Sequence, residues 1–190
     1  MLPIKGVFSI TATYGQTGKH WANKHKGVDF VCKNKEIYST CDGVVRVVAY
    51  DEKGWGRYIS IGEGEKRHLY CHLESVKVTE GAKVKVGQLI GVMGSTGNST
   101  GVHLHYQVNN ASGTALNAAE YLGIPNEQGE YNSDDFTLFK DDAEIPSWAR
   151  AAVYDAKERG MMLGDTDGNF RPNEPLTRAE AAVLISKLNK

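Results

Sequence analysis

Positions 1–109 hold a succession of short apolar runs, each ended by a glycine-bearing turn, and few architectures accept that pattern. Val44-Val45-Arg46-Val47-Val48 is β-branched and follows the turn pair Asp42-Gly43. Tyr58-Ile59-Ser60-Ile61 alternates, and Gly62 and Gly64 mark the next turn. His68 to Leu73 is a further strand candidate. Glu80-Gly81 and Val86-Gly87 bracket a hairpin-like segment, and Leu89 to Met93 follows it. Gly94 to Gly101 is a polar loop before a last strand from His103 to Val108. With 21 glycines in 190 residues, turns are frequent enough to keep every strand short. Short strands at close spacing predict a mainly β domain, a sandwich or barrel. A helical turn over 117–122 closes it.

Residues 1–124 are assigned to this domain. Residues 125–144 read as an acidic linker, where Glu127, Glu130, Asp134, Asp135, Asp141, Asp142 and Glu144 face only Lys140. Residues 145–190 read as a small α-helical module. Pro146 and Ser147-Trp148 open a helix that Gly160 ends, with Trp148, Ala152 and Ala156 on one face and Val153 beside them. Thr177-Arg178-Ala179-Glu180 fits a capping box, and Val183, Leu184 and Leu188 supply the stripe after it. Two helices bury little surface alone, so this module expects a partner, either the first domain or further copies of itself. Asp165-x-Asp167-x-Asn169 resembles the start of a calcium loop. Phe170 and Leu176 stand where an EF-hand needs glycine and glutamate, so calcium is not expected. Arg171 and Arg178 read as loop anchors or anion contacts.

All six histidines lie in the first 105 residues, and four of them fall in three short motifs. These are His25-Lys26-Gly27-Val28-Asp29, Tyr70-Cys71-His72-Leu73 and His103-Leu104-His105. On a strand, His103 and His105 project to the same face. Gly27 and the β-like Val28-Asp29-Phe30-Val31 argue against a helix, and in extended chain His25 and Asp29 also share a face. A catalytic zinc takes three protein ligands and keeps one position for water. Three of His25, Asp29, His103 and His105 would complete such a site. Zinc lowers the pKa of a bound water from about 15.7 to about 7 and polarises a carbonyl. The metalloprotease helix motif H-E-x-x-H is absent, so proton work falls to His72 and the spare member of the 103/105 pair.

Charge narrows the partners. Residues 1–122 carry 14 Lys+Arg against 10 Asp+Glu, and the remainder carry 8 against 13. The basic first part suits an anionic polymer. No Lys/Arg block points to nucleic acid. No run of 18 apolar residues points to a membrane span. Cys32, Cys41 and Cys71 form an odd set without C-x-x-C spacing and read as free thiols. The start, Met1-Leu2-Pro3-Ile4-Lys5-Gly6, lacks the basic and apolar regions of a signal peptide. The expectation is therefore synthesis in the cytosol, or secretion if a leader has been removed.

Residues 15–122 resemble the lysostaphin-type (LytM-like) zinc endopeptidases of bacterial cell walls. The resemblance rests on His25-Lys26-Gly27-Val28-Asp29-Phe30, Asp42-Gly43-Val44-Val45, Tyr70-Cys71-His72-Leu73, Gly87-Gln88-Leu89-Ile90-Gly91 and Gly94-Ser95-Thr96-Gly97. It ends in Gly101-Val102-His103-Leu104-His105. It implies an antiparallel β-sandwich or split barrel with a duplicated hybrid motif, and a Zn2+ cofactor held by His25, Asp29 and His105. His72 and His103 would be the catalytic pair. Cys71 stands where a small residue is usual and Val102 where proline is common, and neither changes a functional group. Tyr14 is a candidate oxyanion group, whereas His20 and His68 fit no role in the chemistry. Residues 141–188 resemble a surface-layer homology (SLH) motif through Trp148-Ala149, Gly164-Asp165, Asp167-Gly168-Asn169-Phe170-Arg171-Pro172 and Leu176-Thr177-Arg178-Ala179-Glu180. Such motifs usually come in threes and bind secondary cell-wall polysaccharide; a single copy departs from that and speaks against tight wall binding on its own, so the expected partners are secondary cell-wall polysaccharide, further copies in a homo-oligomer such as a trimer, or the first domain.

The reading is a peptidoglycan hydrolase, endolysin-like in setting, that reaches the bacterial cell wall once the membrane is breached. A secreted autolysin is the alternative setting. A non-catalytic wall-binding adaptor is the alternative class, opposed by the full set of ligands and histidines. A cysteine peptidase on Cys71-His72 is opposed by the opposite facing of strand neighbours. A lipoyl-type carrier lacks a lysine in the expected turn.

Overall fold

The computed structural model describes residues 1–18 and 23–188, which form two units, Met1–Phe136 and Thr137–Lys190. Among the described residues, the first unit is built from twelve strands, one short α-helix and a 3-10 turn at Ser133–Phe136. In chain order these are β1 (Val7–Ala12), β2 (Val28–Cys32), β3 (Glu36–Tyr38), β4 (Gly43–Asp51), β5 (Gly56–Glu63) and β6 (Lys66–Cys71). They continue with β7 (Leu73–Val76), β8 (Lys83–Val84), β9 (Leu89–Met93), β10 (Leu104–Asn109), β11 (Ala115–Leu116), α1 (Ala118–Leu122) and β12 (Gly129–Asn132). A large antiparallel sheet runs β12-β1-β2-β10-β6-β5-β4-β8, with β11 on β10, and a small one runs β3-β9-β7.

The expected mainly β, antiparallel architecture is what the chain adopts. Alternation explains the layering. On β10, Leu104, Tyr106 and Val108 are fully buried and point to one face, which leaves His105 and Gln107 to the other. Side chains from both sheets pool in one core, including Phe8, Phe30, Ile37, Ile59, Tyr70, Ile90, Met93 and Tyr106. Truncating a fully buried phenylalanine such as Phe30 should cost about 3–5 kcal/mol. Asn117 caps α1 by accepting from the backbone N–H of Ala119 at 3.1 Å, and Gly123 ends the helix in the left-handed region.

Two sequence expectations need correction. The segment 125–144 is not a linker. β12 adds to the edge of the large sheet by pairing with β1, and Tyr131 and Phe136 pack on Phe8. Further on, Phe139 and Ile145 are buried in the second unit's own core. Two of its acidic residues are structural: Asp141 accepts the backbone N–H groups of Phe170 and Arg171 at 2.8 and 2.7 Å, and Asp142 pairs with Arg150. The boundary between units falls instead between Phe136 and Thr137. The small C-terminal unit has α2 (Ser147–Glu158) and α3 (Arg178–Leu188) as expected, but α2 buries a different stripe. Trp148 is 85% exposed, while Val153 is buried and Ala149 packs beside it. The stripe at 149 and 153 wins because it alone places a β-branched residue over Phe139 and Ile145.

The capping box forms at α3: Thr177 Oγ1 accepts from Glu180 N at 3.2 Å, and Glu180 accepts from Thr177 N at 2.8 Å. Val183 and Leu188 remain exposed. Arg171 is a loop anchor, bridging Asp165 and Glu174 at 3.2 and 2.8 Å.

Candidate metal centre and catalytic cleft

β2 and β10 are neighbours, and their register sets Asp29 directly across from His105. The two side chains meet, with His105 Nδ1 2.9 Å from Asp29 Oδ1. His25 enters from the loop before β2. Its backbone is clasped to Gly15 and Gln16, and its Nε2 lies 3.0 Å from His105 Nδ1 and 3.2 Å from Asp29 Oδ1. Gly27 makes this approach available. A Cβ there would sit 2.3 Å from the Tyr106 carbonyl oxygen and 2.8 Å from the His105 ring. The glycine of the first motif is therefore a steric requirement of the site.

The protons on these rings are fixed from behind. His25 Nδ1–H donates to the Thr13 carbonyl at 2.9 Å. His105 Nε2–H donates to Gln107 Oε1 at 3.2 Å, and Gln107 is oriented by its own donation to Asn109 Oδ1 at 2.7 Å. What remains at the meeting point is one lone pair from each imidazole and a carboxylate oxygen. Three such atoms at 2.9–3.2 Å repel unless a positive charge sits among them. Two imidazole nitrogens and one carboxylate are a typical zinc donor set, and their outward hydrogen bonds are those expected behind ligating histidines. Burial opposes ionisation of Asp29, but when His105 and His25 instead turn an N–H toward it, their hydrogen bonds and charge outweigh that burial and hold the carboxyl well below the usual carboxylate range.

His72 reaches this place by a backbone device. Tyr70 pairs with Tyr106 and Cys71 with His105, so regular alternation would turn His72 to the Tyr70 face, away from His105. Instead His72 has φ 62°, in the left-handed region. This conformation costs a non-glycine residue of order 1–3 kcal/mol and ends β6. The step brings its ring to 4.6 Å from that of His103 and 6.1 Å from that of His105. His72 Nδ1–H donates to the Thr96 carbonyl at 2.8 Å, and His103 Nδ1–H donates to that of Gly101 at 2.9 Å. Each ring is left with Nε2 for the cleft, and His103 Nε2 lies 3.9 Å from Asp29 Oδ2. Burial pushes His72 down to about 4, with the neighbouring histidines adding to the effect, so the ring is neutral near pH 7 and can accept a proton at Nε2.

These groups floor a cleft of about 610 Å³. Trp55, the 98–102 loop, Lys24 and Lys26 are among its lining residues. Tyr14 does not line it; its hydroxyl donates to the Ala115 carbonyl at 3.1 Å. Cys71 is fully buried, and burial holds its thiol protonated. The argument against a cysteine nucleophile thus rests on burial, since the left-handed step at His72 removes the strand alternation. All three cysteines are free thiols. His20 lies outside the described residues, and His68 is fully buried on the opposite face of the sheet. The sequence reading missed Gln107, although its i+2 spacing from His105 was a signal. It also missed the carbonyls of Thr13, Thr96 and Gly101, which carry no side-chain signal.

Residues 23–118 match Peptidase family M23, and residues 138–182 match the S-layer homology domain. The peptidoglycan DD-endopeptidase ShyA of Vibrio cholerae is 34% identical over 112 residues, which cover 56% of this chain and 26% of that protein. Lysostaphin of Staphylococcus simulans is 37% identical over 86 residues, covering 44% of this chain and 17% of that one. A zinc-containing peptidase from Vibrio cholerae superposes with a TM-score of 0.51 and 32% identity, over 56% of this chain and 34% of that one. The chain spans about a quarter or less of the length of these curated relatives.

Proposed function

The chain belongs to peptidase family M23, and on that premise we propose that it is a zinc endopeptidase that cuts peptide bonds of peptidoglycan. His25 Nε2, Asp29 Oδ1 and His105 Nδ1 would hold the ion. The observation that carries this reading is the convergence of three lone-pair atoms at 2.9–3.2 Å, with each ring's other nitrogen already donating elsewhere. When bound, zinc supplies a nucleophilic water near neutral pH and polarises a carbonyl.

The rest falls to the chain's own residues. Asp29 stays ionised throughout. Thr13 and Gln107 keep the two imidazoles in the ligating tautomer. His72, neutral near pH 7, takes a proton at Nε2 and returns it to the leaving amine. His103 Nε2 sits beside the same space and orients the attacking and developing oxygen atoms. Proton transfer by a positioned group contributes about 10²–10⁴-fold. An open cleft walled by Trp55 and the 98–102 loop suits an extended peptide. The bond cut would be a stem-peptide or cross-bridge linkage.

The S-layer homology module would bring the enzyme to its substrate, by binding secondary cell-wall polysaccharide or by assembling through the exposed face of α3. An endolysin-like release through a breached membrane and secretion as an autolysin are the two settings this chemistry fits. The test is lysis of purified Gram-positive walls with and without a chelator, with zinc then restored, beside a His105→Ala variant. Lysis should vanish with chelator, return with zinc and be absent in the variant. Chelator-resistant lysis would overturn the zinc mechanism. A protein that binds metal and walls without cutting them would be the adaptor.

A further inference from the structure

A second group of metal-ligand side chains lies on the other face of the large sheet. His68 pairs across β6 with Val108 of β10 and with Ile61 of β5, so it shares the face of Tyr106 rather than that of His105. Glu63, two residues beyond Ile61, projects to the same side. Cys41 comes from the turn before β4. One ligand atom from each of Cys41, Glu63 and His68 lies within 4.8 Å of the other two.

The histidine makes this more than a crowded corner. His68 is fully buried, and its Nδ1 is engaged with the Tyr106 hydroxyl at 2.8 Å, which in turn meets Thr40 Oγ1 at 2.9 Å. Its Nε2 faces the cluster and has no hydrogen-bond partner among the described residues, although it sits 3.3 Å from Glu63 Oε2. A simple buried ion pair would align that N–H with the carboxylate, because an unsatisfied buried nitrogen costs about 1–3 kcal/mol. Glu63 is held in place by the Tyr121 hydroxyl at 2.8 Å. Outward hydrogen bonds on the imidazole and the carboxylate are the pattern that orients metal ligands.

We propose that Cys41, Glu63 and His68 form a second metal site for a zinc-type ion, separate from the catalytic centre and structural in role. One sulfur, one imidazole and one carboxylate suit zinc or cobalt, at about 2.0–2.3 Å from each donor. The ligands close to that spacing by side-chain rotation. The Cys41 proton is released to solvent on binding, since the thiolate is the ligand. The ion would tie the turn before β4 to the β5–β6 hairpin.

The test uses cobalt(II) on the full chain. The catalytic trio contains no sulfur, so a sulfur-to-cobalt charge-transfer band reports the second site alone. The wild type should bind two metal ions per chain and show this band. Cys71→Ser should keep the band, whereas Cys41→Ser should lose it together with one metal ion. Glu63→Gln, a near-isosteric change, should lose the second metal at limiting cobalt while the catalytic ion stays, which covers the case where Cys41→Ser fails to fold. One metal per chain with no such band overturns the proposal, as does a band that survives Cys41→Ser.

Discussion

Replacing Gln107 with leucine tests how the metal centre is prepared. Gln107 is buried, and its Oε1 is the acceptor for His105 Nε2–H at 3.2 Å. Leucine has similar bulk but accepts nothing. Without metal, the imidazole can move its proton to Nδ1 and donate to Asp29, which already lies 2.9 Å away. Zinc binding must then reverse that tautomer and leave Nε2–H buried without a partner, at a cost of about 1–3 kcal/mol. Zinc affinity should fall about 10–100-fold, the range seen when such outer partners are removed. The assay is zinc competition against a chelating dye, with ring-nitrogen NMR of the metal-free protein to read the tautomer. Gln107→Glu keeps the acceptor and should bind zinc at least as well as the wild type. Unchanged zinc affinity in Gln107→Leu, with the His105 proton still on Nε2, would refute the reasoning.

Other consequences follow from the same geometry. His72→Ala and His103→Ala should each retain zinc, by metal analysis, and lose about 10²–10⁴-fold in peptide cleavage. In metal-free protein, His72 takes up its proton less readily when folded (about 4) than when unfolded (about 6.5), so the unfolded state binds more protons between these values. Stability should rise with pH across that window by up to about 3 kcal/mol, and the slope should diminish in His72→Gln, as read by urea unfolding. The depressed carboxyl of Asp29 acts in the same direction at lower pH, with its stabilisation present above the ordinary carboxylate range and lost as the pH falls below it. Thr177→Ala removes the hydroxyl arm of the α3 capping box, while the backbone N–H still donates to Glu180, and should destabilise the C-terminal unit by about 1 kcal/mol, visible as earlier loss of helical circular dichroism on heating.

The strands were legible because their signals are local. Val44 to Val48 and Leu89 to Met93 announce themselves by side-chain type, and glycine marks their ends. The histidine motifs were legible as chemistry, and the resemblance assigned them roles. His72 was not legible as geometry, because a positive φ at a non-glycine residue leaves no trace in the side-chain pattern. β12 was misread since Glu130-Tyr131-Asn132 offers one apolar residue at a sheet edge, and charge overrode it. The α2 stripe failed where two helical faces were both plausible and only the packing partners Phe139 and Ile145 decided between them. Cys41, Glu63 and His68 come from three separate elements, and no spacing rule joins them.

The most direct test of the account is the chemistry of what the protein releases from purified peptidoglycan. The zinc-loaded chain should generate new free amino groups without new reducing sugar ends, and mass analysis should place the cut at one type of peptide bond. New reducing ends, or no new termini of either kind from zinc-loaded protein, would contradict it.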